Sequence, residues 1–79
     1  MATSVWTPKF KGIPHTVVAR WNSWTFAGEL VVDGTVIRTW GTMVAGPDMN
    51  FKIEGQSAFL RKTLRGFDLY IDEHRITHQ

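Results

Sequence analysis

Short runs of Val, Ile, Thr and aromatic residues recur along the chain with turn-forming residues between them, a pattern typical of β-strands. No stretch sustains the i, i+3, i+4, i+7 spacing of an amphipathic helix. The predicted strands are 5–7, 15–22, 25–32, 35–43, 50–54, 58–64, 67–72 and 75–77. The sequence therefore predicts an all-β fold of seven to eight short strands.

The firmest turn signal is Asp33-Gly34, which joins two apolar runs in the stretch LVVDGTVIRTW. A two-residue type I′ turn requires positive φ at both central positions, and Asp-Gly tolerates this conformation. Counting outward from the turn pairs Val31 with Val36 and, further out, Glu29 with Arg38. Because directly opposed residues share a face of the sheet, this register predicts which side chains lie together.

The predicted register divides the hairpin into two faces. The face that we predict to be core carries Phe26, Leu30, Val32 and Ile37. The opposite face carries Glu29, Val31, Val36, Arg38 and Trp40. Either this second face is partly covered and Trp40 packs under a loop, or it is an exposed apolar patch around a polar pair, which would mark a partner or dimer surface. The sequence leaves both interpretations open.

The second half of the chain repeats the alternation of apolar and polar positions. Its apolar positions are Phe51, Ile53, Ala58, Leu60, Leu64, Phe67, Leu69 and Ile71. Lys62 falls on the apolar side near a strand end, and we expect its long side chain to carry the ammonium out to the surface. Arg61, Lys62 and Arg65 form the basic cluster of the chain.

The number of strands restricts the architecture. Eight short strands in one flat sheet would leave an apolar face in water, so two packed antiparallel sheets or a small barrel are the arrangements that bury it. We predict a compact antiparallel β-sandwich, with a small β-barrel as the alternative.

Composition narrows the class of protein. The 79 residues predict a single domain spanning 1–79, and a chain this short buries only about 60% of the surface that its unfolded form exposes. The lack of cysteine excludes a disulfide framework and a thiolate metal site, and it favours the cytoplasm. We expect a soluble protein with no signal peptide and no membrane partner. The net charge of +2 permits only weak attraction to polyanions.

Residues that could carry catalysis lack the necessary spacing. His15, His74 and His78 have no neighbouring Cys or His at metal-ligand spacing. The three serines lie in no nucleophile elbow, and the chain contains no Gly-rich phosphate loop. We therefore expect no enzymatic activity, no metal and no cofactor.

The order of several motifs resembles the domain of the Fas apoptosis inhibitory molecule family. The matching features are Trp6, Gly12, His15, Gly28, the hairpin VVDGTVIRTW (31–40), FKIEG (51–55), GFDLYID (66–72) and Ile76. The resemblance implies a β-sandwich that acts through protein contacts and not through catalysis. This chain carries one such domain where the animal proteins carry two in tandem, and it has Asp72-Glu73-His74 where the family pattern suggests Asn-Gly or Asp-Gly.

A single-domain relative could recreate the tandem arrangement by pairing two copies. We therefore predict a protein-interaction module that forms a homodimer through Glu29, Val31, Val36, Arg38 and Trp40. The alternative is a small β domain that binds single-stranded nucleic acid through Arg61, Lys62 and Arg65, since such domains combine basic grooves with exposed aromatic rings.

Overall fold

The computed structural model describes residues 2–41, 49–63, 66–72 and 74–76. Its strands are β1 (Ala2–Trp6), β2 (Lys9–Phe10), β3 (Ile13–Pro14), β4 (Val17–Trp21), β5 (Gly28–Val32), β6 (Thr35–Trp40), β7 (Met49–Ile53), β8 (Gln56–Lys62), β9 (Phe67–Ile71) and β10 (His74–Ile76). No helix occurs among these residues. The ends of the predicted strands 35–43, 58–64 and 75–77, together with Arg65 and His78, lie outside the described residues.

The strands form two four-stranded antiparallel sheets and one small hairpin. The first sheet has the order β1-β4-β5-β6, and the second sheet has the order β10-β9-β8-β7. Among the strands that the structure describes, β2 and β3 pair only with each other. The protein is therefore an all-β sandwich, as predicted, and its described strands do not close into the alternative small barrel.

Two-residue turns with positive φ join neighbouring strands in both sheets. Asp33 and Gly34 have φ of 50° and 83°, and Glu54 and Gly55 have φ of 52° and 78°. Both pairs fit the type I′ turn, whose twist matches that of the flanking strands. The Asp33-Gly34 turn is confirmed, and the second turn begins at Glu54, the last residue of the predicted strand 50–54.

The core lies between the two sheets and is formed by alternate residues of their strands. The largest fully buried side chains are Trp6, Val17, Leu30, Leu60 and Leu69. Phe26 and Val32, both predicted as core, are partly buried against this cluster. Each fully buried aliphatic side chain contributes about 1.5 to 3 kcal/mol relative to an exposed one. This burial holds the sheets together in a chain without disulfides.

The β5–β6 hairpin follows the predicted register only as far as its second pair, Val31 with Val36. The register then shifts, and Leu30 pairs with Arg38 instead of Ile37. Ile37 is therefore the extra residue of a β-bulge, which places two residues of one strand opposite one of the other. Beyond the bulge, the predicted register is wrong by one residue.

The bulge exchanges the faces of the outer half of β6. Ile37, predicted as core, is 41% exposed. Trp40 instead pairs with Gly28 and packs against the core. Glu29 no longer opposes Arg38, so the predicted cross-strand ion pair between them does not form. A one-residue slip has this effect because side chains alternate between the faces of a sheet.

No helix among the described residues is long and apolar enough to cross a membrane.

Candidate functional site

A row of four valines crosses the outer face of the first sheet. Val5 pairs with Val18, Val18 with Val31, and Val31 with Val36, so the row runs through β1, β4, β5 and β6. Val36, on the edge strand, is 51% exposed, whereas Val31 is only 5% exposed. We call these four residues the valine row.

A polar row lies beside the valine row on the same face. Thr3 pairs with Arg20, Arg20 with Glu29, and Glu29 with Thr39. The Arg20 guanidinium is 3.5 Å from a Glu29 carboxylate oxygen, and both side chains are partly exposed. An exposed pair of this kind contributes only about 0.2 to 1 kcal/mol to stability. Glu29 thus has its cationic partner on β4 and not on β6.

Three of the five residues predicted for an interaction face lie together on this outer face, namely Glu29, Val31 and Val36. Arg38 and Trp40 do not, because the bulge turns them toward the core side. The Arg38 guanidinium donates a hydrogen bond to the backbone carbonyl of Asn50, which links the edge of the first sheet to β7.

Trp40 packs inside the molecule, on the core side of β6, and so it does not lie on the face for which the two interpretations were made. Its ring centroid is 5.3 Å from that of Phe67. Its indole N–H donates a hydrogen bond of 2.5 Å to the backbone carbonyl of Phe26, in the loop between β4 and β5. A buried indole needs such a partner, and the loop supplies it.

The tryptophans on either side of Asn22-Ser23 have opposite environments. Trp21 ends β4 and is 4% exposed, whereas Trp24 is 94% exposed at the tip of the β4–β5 loop. The Asn22 side chain accepts hydrogen bonds from the backbone N–H groups of Trp24 and Thr25, at 2.8 and 3.3 Å. These bonds form an Asx-type turn, and an Asn at such a position is a signal for this turn that can be found in a sequence. Sequence reasoning did not separate the two tryptophans.

The predicted basic cluster is divided between two faces of β8. Arg61 lies on the outer face of the second sheet, with its guanidinium carbon 5.5 Å from the ring centroid of Phe59 and 5.2 Å from that of Tyr70. Lys62 lies on the inner side, with its ammonium 3.9 Å from the ring centroid of Phe26. The predicted placement of Lys62 on the apolar side is confirmed. Arg61 and Lys62 therefore do not share a basic surface.

His15 connects the turns of the two sheets. Its Nδ1 is 2.6 Å from a carboxylate oxygen of Asp33, and its Nε2 is 3.7 Å from a carboxylate oxygen of Glu54. The hydrogen bond from His15, and then that from the backbone N–H of Thr16, hold the pKa of Asp33 below its ordinary value of 3.8. The described residues contain no group of three or more His, Cys, Asp or Glu that could hold a metal.

The lowered pKa of Asp33 predicts a loss of stability in acid. The contribution of this carboxylate is fully present above the unfolded pKa and is lost as the pH falls through the lower folded pKa. Asp33→Asn keeps a residue that suits a type I′ turn but cannot titrate. We expect the free energy of unfolding of this variant to fall less than that of the wild type between about pH 5 and the acid limit. Urea unfolding at a series of pH values measures both curves, and parallel curves would contradict the prediction.

Comparisons of the chain with family models, with curated proteins and with solved structures give no match. The resemblance to the Fas apoptosis inhibitory molecule family therefore stays a prediction from the motifs that carry it.

Proposed function

We propose that this protein is a non-enzymatic interaction module that pairs with a second copy of itself through the outer face of the first sheet. The observation that carries the proposal is the valine row, which extends across all four strands of that sheet. The partner surface predicted from the sequence is thereby moved from Arg38 and Trp40 to Val5, Val18 and Arg20.

The apolar content of this face supports association. Val36 and Ile37 together expose apolar surface at the β6 end of the row, at 51% and 41%. Contiguous apolar surface on a small domain is a common mark of a protein interface. Association also stabilises a chain whose own core is small, because a partner that binds only the folded state shifts the equilibrium toward it.

The two rows match those of a second copy related by twofold symmetry. In this arrangement the twofold axis lies between the two contacting faces, parallel to the strands and midway between β4 and β5. Rotation about it places β4 of the second copy over β5 of the first copy. Arg20 then faces the second copy's Glu29, and each Val18 faces a Val31. The face is complementary to itself in both charge and apolar surface, as an isologous interface requires.

Charge reversal tests this arrangement. Arg20→Glu gives a face with two carboxylates, and Glu29→Arg gives a face with two guanidinium groups. We expect each variant alone to have its dimer dissociation constant raised about tenfold or more, because like charges then face each other. An equimolar mixture of the two variants should dimerise again, since each face now meets its complement. Light scattering over a concentration series measures all three samples.

A control and two contrary results complete the experiment. Lys52→Glu reverses a charge on the outer face of the second sheet, and we expect the dimer to be unchanged. A wild-type chain that is monomeric at all concentrations would reject self-association. Equal dimerisation of the wild type and of both single variants would reject this face as the interface.

A further inference from the structure

The β4–β5 loop, residues 22–27, presents a tryptophan to solvent at one end of the sandwich. Trp24 lies at the tip of this loop and is 94% exposed. The other three tryptophans are buried or packed against the core, namely Trp6, Trp21 and Trp40. An indole ring carries a large apolar area, so a partner that covers Trp24 removes much apolar surface from water. This position is therefore a candidate anchor for an interface.

Hydrogen bonds hold the β4–β5 loop in one conformation. The backbone N–H of Asn22 donates to the carbonyl of Ala27 at 2.8 Å, and that of Phe26 donates to the carbonyl of Asn22 at 2.7 Å. The backbone N–H of Ala27 also donates to the hydroxyl oxygen of Thr25 at 3.2 Å. The Asn22 side chain accepts two further bonds within the loop. A loop that is ordered in advance loses little conformational entropy when it binds.

Phe26 fills the inner side of the loop in a conformation that is rare for a bulky residue. Its φ is 63°, in the left-handed region. Its ring packs against the core and lies 3.9 Å from the Lys62 ammonium, and its carbonyl accepts the Trp40 indole hydrogen bond. Strained residues of this kind cluster at binding sites, where the surrounding contacts fix them. Because Phe26 takes the inner side, Trp24 is left on the outside of the loop.

The β4–β5 loop continues the outer face of the first sheet beyond the polar row. Trp21 and Gly28 are the last pair of β4 and β5, and Trp21 belongs to the core. Arg20 and Glu29, one position earlier on each strand, are the last opposed pair on the outer face. From the centre of the sheet to this end, the outer face thus carries the valine row, then the polar row, and then the loop.

The symmetry of the proposed dimer brings two copies of this loop together. A twofold axis parallel to the strands preserves the direction along them, so each end of one copy meets the same end of the other. The axis passes midway between β4 and β5, and the loop that joins these strands lies next to it. Stacked sheets are about 10 Å apart, a distance that two opposed indole rings can span.

We propose that Trp24 anchors the self-association interface by packing across the twofold axis against the β4–β5 loop of the second copy. This inference rests on the proposed pairing through the outer face of the first sheet. Tryptophan is enriched among the few residues that dominate binding at protein interfaces. The contact also covers the end of the interface where Arg20 faces Glu29, and exclusion of water strengthens the attraction between such charges.

Truncation of Trp24 tests the anchor by light scattering over a concentration series. We expect Trp24→Ala to raise the dimer dissociation constant about 10- to 100-fold. Trp24→Phe keeps an aromatic ring and should retain most of the affinity. The side chain is 94% exposed, so neither variant should change the urea unfolding of the monomer, measured at a concentration at which the dimer is dissociated.

Single cysteines test whether the two loops meet, because the chain contains no cysteine of its own. Ser23→Cys places a thiol beside Trp24 and keeps the anchor. Ser57→Cys is the matched control, since it makes the same exchange on the outer face of the second sheet. Both serines are exposed. A short bismaleimide should link two chains of Ser23→Cys and leave Ser57→Cys unlinked, as measured by denaturing gel electrophoresis.

The results separate this proposal from the one on which it rests. A wild-type dimer that responds to the charge reversals but is unchanged by Trp24→Ala would overturn the anchor and leave the interface in place. Equal cross-linking of Ser23→Cys and Ser57→Cys, or none of either, in that dimer would show that the loops do not meet and would also overturn the anchor. A wild type that is monomeric at all concentrations would overturn both proposals.

Discussion

Replacement of Gly28 by alanine is expected to lower the free energy of unfolding by about 3 kcal/mol or more. A Cβ atom at this position would lie 2.0 Å from the backbone oxygen of Arg20 and 2.8 Å from the Cα of Trp21. Both atoms belong to the backbone of β4, so they can move only if β4 and β5 separate. Overpacking typically costs about 1 to 3 kcal/mol, and a backbone clash this close lies at or above that limit. The total free energy of unfolding of a chain of this length is about 4 to 12 kcal/mol, so the clash removes a large part of it.

Gly41→Ala provides the matched control for this variant. A Cβ at Gly41 meets no atom within 4 Å, so the same chemical change should leave the free energy of unfolding within about 0.5 kcal/mol of the wild type. Urea unfolding followed by circular dichroism compares the three proteins. Equal midpoints for Gly28→Ala and Gly41→Ala would show that β4 and β5 do not approach as closely as described.

Truncation of Leu30 should be the second large effect, and it tests the bulge when paired with truncation of Ile37. Leu30 is fully buried, so Leu30→Ala is expected to reduce the free energy of unfolding by about 2 to 5 kcal/mol through lost burial and a residual cavity. Ile37 is 41% exposed, and we expect Ile37→Ala to cost less than about 1 kcal/mol. Denaturant unfolding measures both values.

The unbulged register makes a different prediction for the same pair of variants. In that register Leu30 and Ile37 oppose each other in the core, and truncation of either should cost several kcal/mol. A large loss for Ile37→Ala would therefore contradict the bulge. It would also return Arg38 and Trp40 to the outer face and reopen the interaction surface predicted from the sequence.

The part of the β5–β6 hairpin that sequence reasoning predicted correctly is the part governed by the turn. Asp33-Gly34 fixes the conformation of two residues, and the pairs next to it follow by counting. The bulge at Ile37 has no comparable local signal, because Ile is a common strand residue and no glycine marks the shift. The interaction surface was the part predicted least well, because the register decides which β6 residues after Val36 lie on the outer face.

The tryptophans show a second limit of the same kind. Trp21 and Trp24 are chemically identical and three positions apart, yet one fills the core and the other is exposed. Alternation within β4 places Trp21 beside Val17 and Ala19 on the buried face, but alternation ends where the strand ends. The position of Trp24 depends on the loop hydrogen bonds to Asn22, which a strand pattern does not describe.

The second sheet was predicted better than the first because its strands pair without an irregularity among the described residues. Alternation alone separates Ala58 and Leu60, which are buried, from Phe59 and Arg61. Alternation also places Lys62 and Arg61 on opposite faces, although the predicted basic cluster grouped them because they are adjacent in the sequence. Only the structure showed that Phe59 and Tyr70 stack, since the sequence did not predict the register between β8 and β9.

The bulge in β6 also bears on how this protein avoids uncontrolled assembly. β6 is an edge strand of the first sheet. The unpaired backbone groups of a regular apolar edge can pair with strands of other chains, which leads to aggregation. The extra residue at Ile37 interrupts the repeat of backbone hydrogen-bonding groups, and the bulge twists the strand locally. An incoming strand therefore finds no long regular template beside an exposed Val36 and Ile37. In the proposed dimer, the chains associate through the face and not through this edge, and twofold symmetry limits the assembly to two chains.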